Sequence, residues 1–185
     1  MYARVRQRHA AAIGISSLMQ IKAVRSRRLL AVRRPGKRDA MTAANSASEA
    51  HSTDAIVVEA TPYELIGGEA GVRRLADRFY AIMDEEPDAR KIRAMHDADL
   101  GPIRQLLFEF LSGWLGGPAL YFERAEHRCI MSAHRPYAIG DAERDEWMTC
   151  MRRAMFDCDI TGDMYDLLDR AFLRMANAFR TRPAG

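Results

Sequence analysis

Apolar residues return at three- and four-residue steps through most of the chain after Thr61, which places them on single faces of α-helices. No stretch shows the sustained apolar–polar alternation of a strand. The sequence therefore predicts an all-α fold. The predicted helices run from Pro62 to Gly67-Gly68, over about 69–84, from Asp99 to Gly116-Gly117-Pro118, over about 141–158, and through 164–179.

The segment 119–140 lacks this periodicity, and Pro136 and Gly140 mark breaks in it. We predict that it is irregular apart from one helical turn before His134. Asp141 is expected to cap the next helix, since an Asp side chain accepts hydrogen bonds from the free amides of a first turn.

Residues 1–60 have no sustained apolar periodicity, and we predict that they form a disordered leader and linker. The chain carries 28 Lys+Arg and 25 Asp+Glu, but residues 1–38 hold eleven of the basic residues and none of the acidic ones. Subtracting 11 from 28 leaves 17 basic against 25 acidic residues over 39–185, a net charge of −8. The leader is a targeting peptide, a nucleic-acid-binding arm, or translated upstream sequence if the true start is Met41.

Three cysteines in no metal-ligand spacing favour neither a disulfide framework nor a zinc cluster, so a cytoplasmic location is expected. The longest uncharged stretch of the leader, Ala10 to Ile21, is shorter than the roughly 20 residues that cross a bilayer. No membrane span is predicted. Of the histidines, His96, His127 and His134 lie in the helical part, and a single histidine is not by itself evidence of a site.

The chain contains three distinctive sequence blocks: FEFLSGWLGGP over 108–118, SAHRPYAI over 132–139 and ERDEWMTCM over 143–151. In their order and spacing they resemble the group II truncated haemoglobins, over roughly Tyr63 to Arg180. The resemblance implies a two-over-two helical sandwich that encloses haem b, with a globin domain over 61–182. It also implies that O2 and other diatomic gases are the ligands, that a reductase keeps the iron ferrous, and that the protein is a monomer or homodimer.

The resemblance assigns a role to individual side chains. His134 matches the proximal ligand of the haem iron. Across the haem, Tyr80 and Trp147 match the distal tyrosine and tryptophan, His96 matches a further distal position, and Ile103 and Leu107 match two positions that face the ligand. The residues expected to contact the cofactor are His134, Leu107, Phe110, Trp114, Tyr121, Arg135, Ile139, Trp147 and Met151.

The residues fit this interpretation on their own chemistry. Haem needs an apolar slot and one neutral imidazole, which the helical stripes and His134 supply. No Cys-x-x-Cys-His occurs, so thioether links are not expected. Tyr80, Trp147 and His96 are candidate donors to O2, and each charge-assisted hydrogen bond stabilises the bound gas by roughly 1.5–3 kcal/mol. Several donors predict slow release, which favours sensing or redox chemistry over bulk transport.

The chain departs from the family pattern in two places. Ala133 and Met131 stand where relatives carry basic residues, so Arg135 and Arg128 are the candidate partners of the haem propionates, with Tyr121 as a hydrogen-bond donor. Ile103 stands where many relatives carry a small residue, and its branched side chain is expected to narrow ligand access.

Several functions stay open at this point. A haem protein of this kind binds O2, CO and NO, and its role is oxygen binding, sensing, or chemistry on NO or peroxide, including peroxidase or NO-dioxygenase side activity. Two alternatives belong to other classes: a helical nucleic-acid-associated protein that binds phosphate through the Arg-rich leader, and a haem-free helical sensor scaffold. Nucleic acid is not among the expected partners.

Overall fold

The computed structural model describes residues 60–126 and 128–182. Within these residues the chain forms α-helices and one 3₁₀ turn and contains no strand, so the all-α prediction is confirmed. The helices are α1 (Pro62–Leu65), α2 (Gly68–Glu85), α3 (Arg90–Arg93), α4 (Gly101–Trp114), α5 (Leu120–Glu123), α6 (Ile130–His134), α7 (Asp141–Asp157) and α8 (Gly162–Ala178), with the 3₁₀ turn over Pro87–Ala89 before α3.

The start of the helical part follows its sequence pattern. Thr61 and Glu64 form a reciprocal capping box, in which each side chain accepts a hydrogen bond from the other residue's amide. Gly67 and Gly68 then take left-handed φ angles of 103° and 61°, which end α1 and let α2 begin in a new direction. Gly71 lies against the carbonyl of Ile66, where a Cβ atom would be only 1.9 Å from the oxygen.

The core lies where the four long helices meet. Helix α2 packs against both α4 and α7, and α7 packs against α8. The apolar stripes predicted for these helices face inward, and Phe79, Leu111, Met151 and Phe172 are almost completely shielded from solvent. Burying side chains of this size stabilises the fold by roughly 1.5–3 kcal/mol each.

Three short elements of the described chain were not predicted from the sequence. The turn and helix over 87–93 were not predicted, and 119–140 contains α5 as well as the predicted turn before His134. A helix of four residues shows no apolar period and is not stable alone, so other parts of the chain must hold it. The carboxylate of Glu146 accepts hydrogen bonds from the Lys91 and Ile92 amides of α3.

The expected cap of α7 is wrong. Gly140 occupies the N-cap position, and its amide donates to the carboxylate of Glu143 at 2.8 Å. Asp141 is the first helical residue, and its carboxylate instead pairs with Arg144 and Arg180. The N-terminal turn of α7 is thus tied to the residues that follow α8.

Within the described part of the chain, none of the helices combines the length and the apolar character needed to cross a membrane. The leader and linker predictions fall on residues that lie, apart from Ala60, outside the described ranges.

Candidate functional site

His134 ends α6 and is half-buried. Its Nδ1 atom lies 2.7 Å from the carbonyl oxygen of Ile130, one helical turn earlier. Since a carbonyl only accepts, Nδ1 carries the proton and Nε2 of the neutral ring keeps its lone pair. Burial lowers the pKa of His134, which favours that neutral form. An imidazole fixed in this way is prepared to bind a metal through Nε2.

Phe179 covers one face of this imidazole. The two rings are stacked with 4.2 Å between their centroids and 4° between their planes. Phe179 is the C-cap residue of α8, so the last long helix ends against the ring of His134. Phe179 is the last residue of the helix predicted through 164–179, and the sequence indicated no role for it in the site.

The loop after His134 is pinned by the same end of the chain. The Thr181 hydroxyl donates to the carbonyl of Tyr137 at 2.6 Å and accepts from the amide of Ile139 at 2.9 Å. The Thr181 amide donates in turn to the carbonyl of Ile139 at 3.0 Å. The segment after α8 therefore fixes both the ring of His134 and the loop that follows it.

Tyr80 lies buried on α2, and its ring meets the ring of His96 edge to face at 5.5 Å. Among the described residues the Tyr80 hydroxyl has no hydrogen-bond partner. Burial raises the pKa of Tyr80 well above its ordinary value of 10.0, against a smaller opposing effect of Arg104. The hydroxyl therefore stays protonated and can donate a hydrogen bond to a ligand.

His96 is held in the same manner as His134. Its Nδ1 atom lies 2.7 Å from the carbonyl oxygen of Ile92, so Nδ1 carries the proton. Burial lowers the pKa of His96, the hydrogen bond to the Ile92 carbonyl opposes this effect, and the positive charge of Arg93 lowers the pKa further. The neutral ring offers a lone pair at Nε2, which is an acceptor. The role of His96 as a donor to a gas ligand stays a prediction, since the neutral ring in this tautomer has its N–H bonded to Ile92.

Trp147 is half-buried on α7 between two phenyl rings, with centroid distances of 5.2 Å to Phe79 and 5.8 Å to Phe172. In the residues that the structure describes, no group accepts a hydrogen bond from its indole N–H. The aromatic contacts continue from Phe172 to Trp114 at 5.0 Å. The packing thus orients the indole and leaves its N–H available.

The apolar residues predicted to line the slot fall into two sets. Ile103, Leu107 and Ile139 are half-buried, so each keeps surface that a bound apolar group can cover. The second set is buried in the core and consists of Phe110, Trp114, Tyr121 and Met151. Within this set, Phe110 meets Trp114 at 6.5 Å and Tyr121 at 5.9 Å.

The model of the bacterial-like globin family matches residues 61–180, well over half of the chain. The chain belongs to the bacterial-like globins.

The relatives of this globin identify its subgroup. A group 2 truncated hemoglobin of Bacillus subtilis is 32% identical over 107 residues, which cover 58% of this chain and 78% of that protein. Among solved structures, a truncated hemoglobin of Pseudoalteromonas haloplanktis has 38% identity and a TM-score of 0.64, over 67% of this chain and all of the other. The group II 2-on-2 hemoglobin of Agrobacterium tumefaciens has 40% identity and a TM-score of 0.62, and the match covers 65% of this chain and 94% of that protein. The predicted group and the two-over-two fold are confirmed.

Membership of this family supports a haem cofactor with iron and the binding of a gas ligand. The described residues of this globin fit that cofactor: a neutral imidazole has a free Nε2, half-buried apolar side chains adjoin the core, and the donors of Trp147 and Tyr80 have no partner among these residues. A further buried donor, the indole N–H of Trp114, also has no partner among the described residues.

The basic residues on either side of α6, the helix that ends at His134, are exposed. Arg128 and Arg135 form no ion pair with the described residues, so both guanidinium groups are accessible to an anion. The hydroxyl of Tyr121 donates to the backbone carbonyl of Arg128 at 2.8 Å. This bond anchors the segment before α6 to α5.

Sequence reasoning missed the groups that position the site of this globin. Phe179, the carbonyls of Ile130 and Ile92, and the carboxylate of Glu146 each fix another residue and carry no motif of their own. The spacing of four between each histidine and its carbonyl partner was visible, but it does not by itself indicate a hydrogen bond.

Proposed function

We propose that this globin holds haem b through Nε2 of His134 and binds O2, and also CO and NO, on the side of Tyr80 and Trp147. The haem supplies a ferrous iron with an open position for a diatomic gas. The hydrogen bond to the Ile130 carbonyl supports this role of His134, because it fixes the tautomer that metal ligation needs. The stacked ring of Phe179 restricts rotation of the imidazole.

The apolar part of the cofactor is proposed to lie against Leu107, Ile103 and Ile139, with Phe110, Trp114 and Met151 behind them. Covering apolar surface of this kind stabilises binding by about 25 cal/mol per Å². Arg135 and Arg128 are proposed partners of the carboxylates of the cofactor, because both are exposed and unpaired among the described residues. Tyr121 is proposed to hold this region through its bond to Arg128.

The distal residues are proposed to divide into two donors and one acceptor. The Tyr80 hydroxyl and the Trp147 indole N–H donate toward a gas ligand that carries partial negative charge. His96, protonated at Nδ1, accepts at Nε2 and so interacts with a donor rather than with the negative end of the ligand. Ile103 is proposed to narrow access along α4.

One observation carries the proposal: the neutral imidazole of His134, with Nδ1–H bonded at 2.7 Å and Nε2 free. The test is the absorption spectrum of the reduced full chain with and without CO. Wild-type protein is expected to bind haem in a one-to-one ratio and to show a Soret band that CO displaces. His134→Gly is expected to lose haem and to regain it with added imidazole, whereas His96→Gln is expected to retain it. Equal haem content in wild type and His134→Gly without imidazole would overturn the assignment.

Reduction of hydrogen peroxide, with electrons from the proposed reductase, is a second candidate function, and the hydrogen bond of His96 Nδ1 to the Ile92 carbonyl favours it. A hydroperoxide becomes a better ligand when a nearby base removes its proton, and the lone pair on Nε2 of His96 is such a base. Stopped-flow mixing of the ferric protein with hydrogen peroxide tests this idea. Wild-type protein is expected to react with peroxide faster than free haem does, and His96→Phe is expected to react more slowly than wild type. Equal rates in wild type and His96→Phe would exclude a role for His96.

The comparisons do not favour the two alternatives from other classes. Deleting residues 1–40 separates the leader from the proposed haem function: the truncated chain is expected to keep the Soret band and the gas affinity of the full chain. A cytoplasmic location, an electron-donating reductase partner and a monomeric or homodimeric state are proposed with the haem function.

A further inference from the structure

The carboxylate of Glu146 joins two parts of the distal side. Glu146 directly precedes Trp147 on α7, and its side chain is 15% exposed. Its Oε2 atom accepts hydrogen bonds from the backbone amides of Lys91 at 3.1 Å and Ile92 at 3.2 Å. The helix that bears Trp147 is thereby bonded to the short helix α3.

Ile92 carries this connection to His96. Its amide donates to Glu146, while its carbonyl accepts the Nδ1 proton of His96 at 2.7 Å. A single residue is therefore bonded on one side to the neighbour of Trp147 and on the other side to the distal imidazole.

These bonds hold helix α3 together with the buried side chain of Ile92. It contains four residues, and a helix of this length has no stability of its own. The first amides of a helix have no partner within it, and a carboxylate satisfies them with charge-assisted bonds. On the opposite side the Arg93 guanidinium pairs with Asp84 at 2.7 Å and donates to the carbonyls of Asp97 and Ala98. The loop with His96 is thus fastened both to α2 and to α7.

We propose that Glu146 is a positioning residue that, by holding the Ile92 peptide, fixes the place and the tautomer of His96 relative to Trp147. The functional part of this inference rests on the proposed haem function, but the structural part does not. Asp145 is the matched control, because it is the adjacent carboxylate on α7 and it pairs with Arg144 instead of α3.

The first test is amide hydrogen exchange and histidine ¹⁵N NMR on the full chain, as the diamagnetic ferrous CO form. Glu146→Ala is expected to accelerate exchange at Lys91 and Ile92 by about tenfold or more, the loss of one charge-assisted bond. It is also expected to convert His96 from a single Nδ1–H tautomer to a mixture. Asp145→Ala is expected to match wild type in both measurements. Exchange rates within about twofold of wild type at both amides would overturn the proposal, because such a change corresponds to less free energy than one neutral hydrogen bond contributes.

The second test separates positioning from a purely structural role. The stretching band of bound CO responds to nearby polar groups, so Glu146→Ala is expected to shift or broaden it, while Asp145→Ala leaves it unchanged. Faster exchange with an unaltered CO band and an unaltered His96 tautomer would show a structural role alone and would overturn the proposal.

A third variant covers the case in which Glu146→Ala does not fold. Glu146→Gln keeps an acceptor oxygen without charge, so it is expected to retain the His96 tautomer while Lys91 and Ile92 exchange about threefold faster. Wild-type exchange in this variant would overturn the proposal. If the chain binds no haem, the proposed function fails. The amide exchange rates and the His96 tautomer can then be measured in the haem-free chain, and they still decide the role of Glu146.

Discussion

The imidazole of His134 lies flat against the phenyl ring of Phe179, with 4.2 Å between the ring centroids and 4° between the ring planes. The contact joins the end of α6 to the end of α8, two elements that are far apart in sequence. One ring face of the proposed iron ligand is thus blocked, and the Ile130 carbonyl holds the Nδ1 edge. The only free nitrogen is Nε2, which restricts the direction in which a metal can be bound.

Removing the Phe179 ring is expected to weaken haem retention. An aromatic pair contributes about 0.5–1.5 kcal/mol beyond its buried area, so Phe179→Ala should release haem about two- to tenfold faster. Transfer of haem to excess apomyoglobin measures this rate. Phe156→Ala is the control, because Phe156 is 71% exposed on α7. Equal transfer rates in the two variants would contradict a role for the stack.

Trp147→Phe is expected to keep the haem and to speed O2 release. The substitution retains an aromatic ring between Phe79 and Phe172 and removes the N–H donor together with one ring of the indole. Loss of one charge-assisted bond should raise the O2 off-rate by about tenfold or more. CO carries less negative charge than O2, so the CO off-rate provides an internal comparison. An O2 off-rate within about twofold of wild type would rule out the indole as a donor.

Tyr80→Phe tests the second donor without opening a cavity. The phenyl ring preserves the contacts with Phe79 and His96, while the hydroxyl is lost. The O2 off-rate is expected to rise by about tenfold, measured by stopped-flow displacement with CO. Tyr165→Phe on α8 is the control and is expected to behave as wild type. A response of both variants to the same degree would point to a general loosening of the fold.

Glu109 is expected to make a pH-dependent contribution to the free energy of unfolding. Its buried carboxylate accepts hydrogen bonds from Gln105 and Arg124, each at 2.8 Å. Burial alone raises the pKa of Glu109, but these bonds outweigh it, and the pKa lies below the ordinary value of 4.5. Because the folded pKa is depressed, this stabilisation is complete above the unfolded pKa and disappears as the pH falls through the folded value.

Glu109→Gln is therefore expected to unfold more easily at neutral pH, by about 1–2 kcal/mol, and to approach wild type at an acid pH below the folded pKa of Glu109. Urea unfolding at both pH values measures the difference. Glu69→Gln is the control, since the exposed ion pair of Glu69 with Arg73 contributes little. If the difference in unfolding free energy between Glu109→Gln and wild type were the same at the two pH values, the titration of this carboxylate would be contradicted.

The long helices could be predicted because each carries an apolar face at helical spacing. The prediction of about 69–84 agrees closely with α2, and that of about 141–158 agrees with α7. The short helices α3 and α5 could not be predicted, since four residues carry no period and tertiary bonds such as Glu146 to Ile92 hold them. Local pattern predicts the long helices and the capped short helix α1, whereas α3 and α5 carry no such local signal.

The candidate site was only partly accessible to the same reasoning. His134, Tyr80 and Trp147 were identified through a resemblance, because spacing alone does not distinguish a ligand from a core residue. The stack with Phe179 was beyond any local pattern, as was the proton on Nδ1 of His96, which depends on the Ile92 carbonyl. Both require the folded chain to be known.

The most direct test of the account is the iron–imidazole stretching band in the resonance Raman spectrum of the reduced protein. In His134→Gly supplied with haem and imidazole, the band is expected to return and to shift when the imidazole carries ¹⁵N. In wild type it is expected to shift only when the protein's own histidines carry the label. A band that persists in His134→Gly without imidazole, or that ignores the labelled imidazole, would show that another side chain binds the iron.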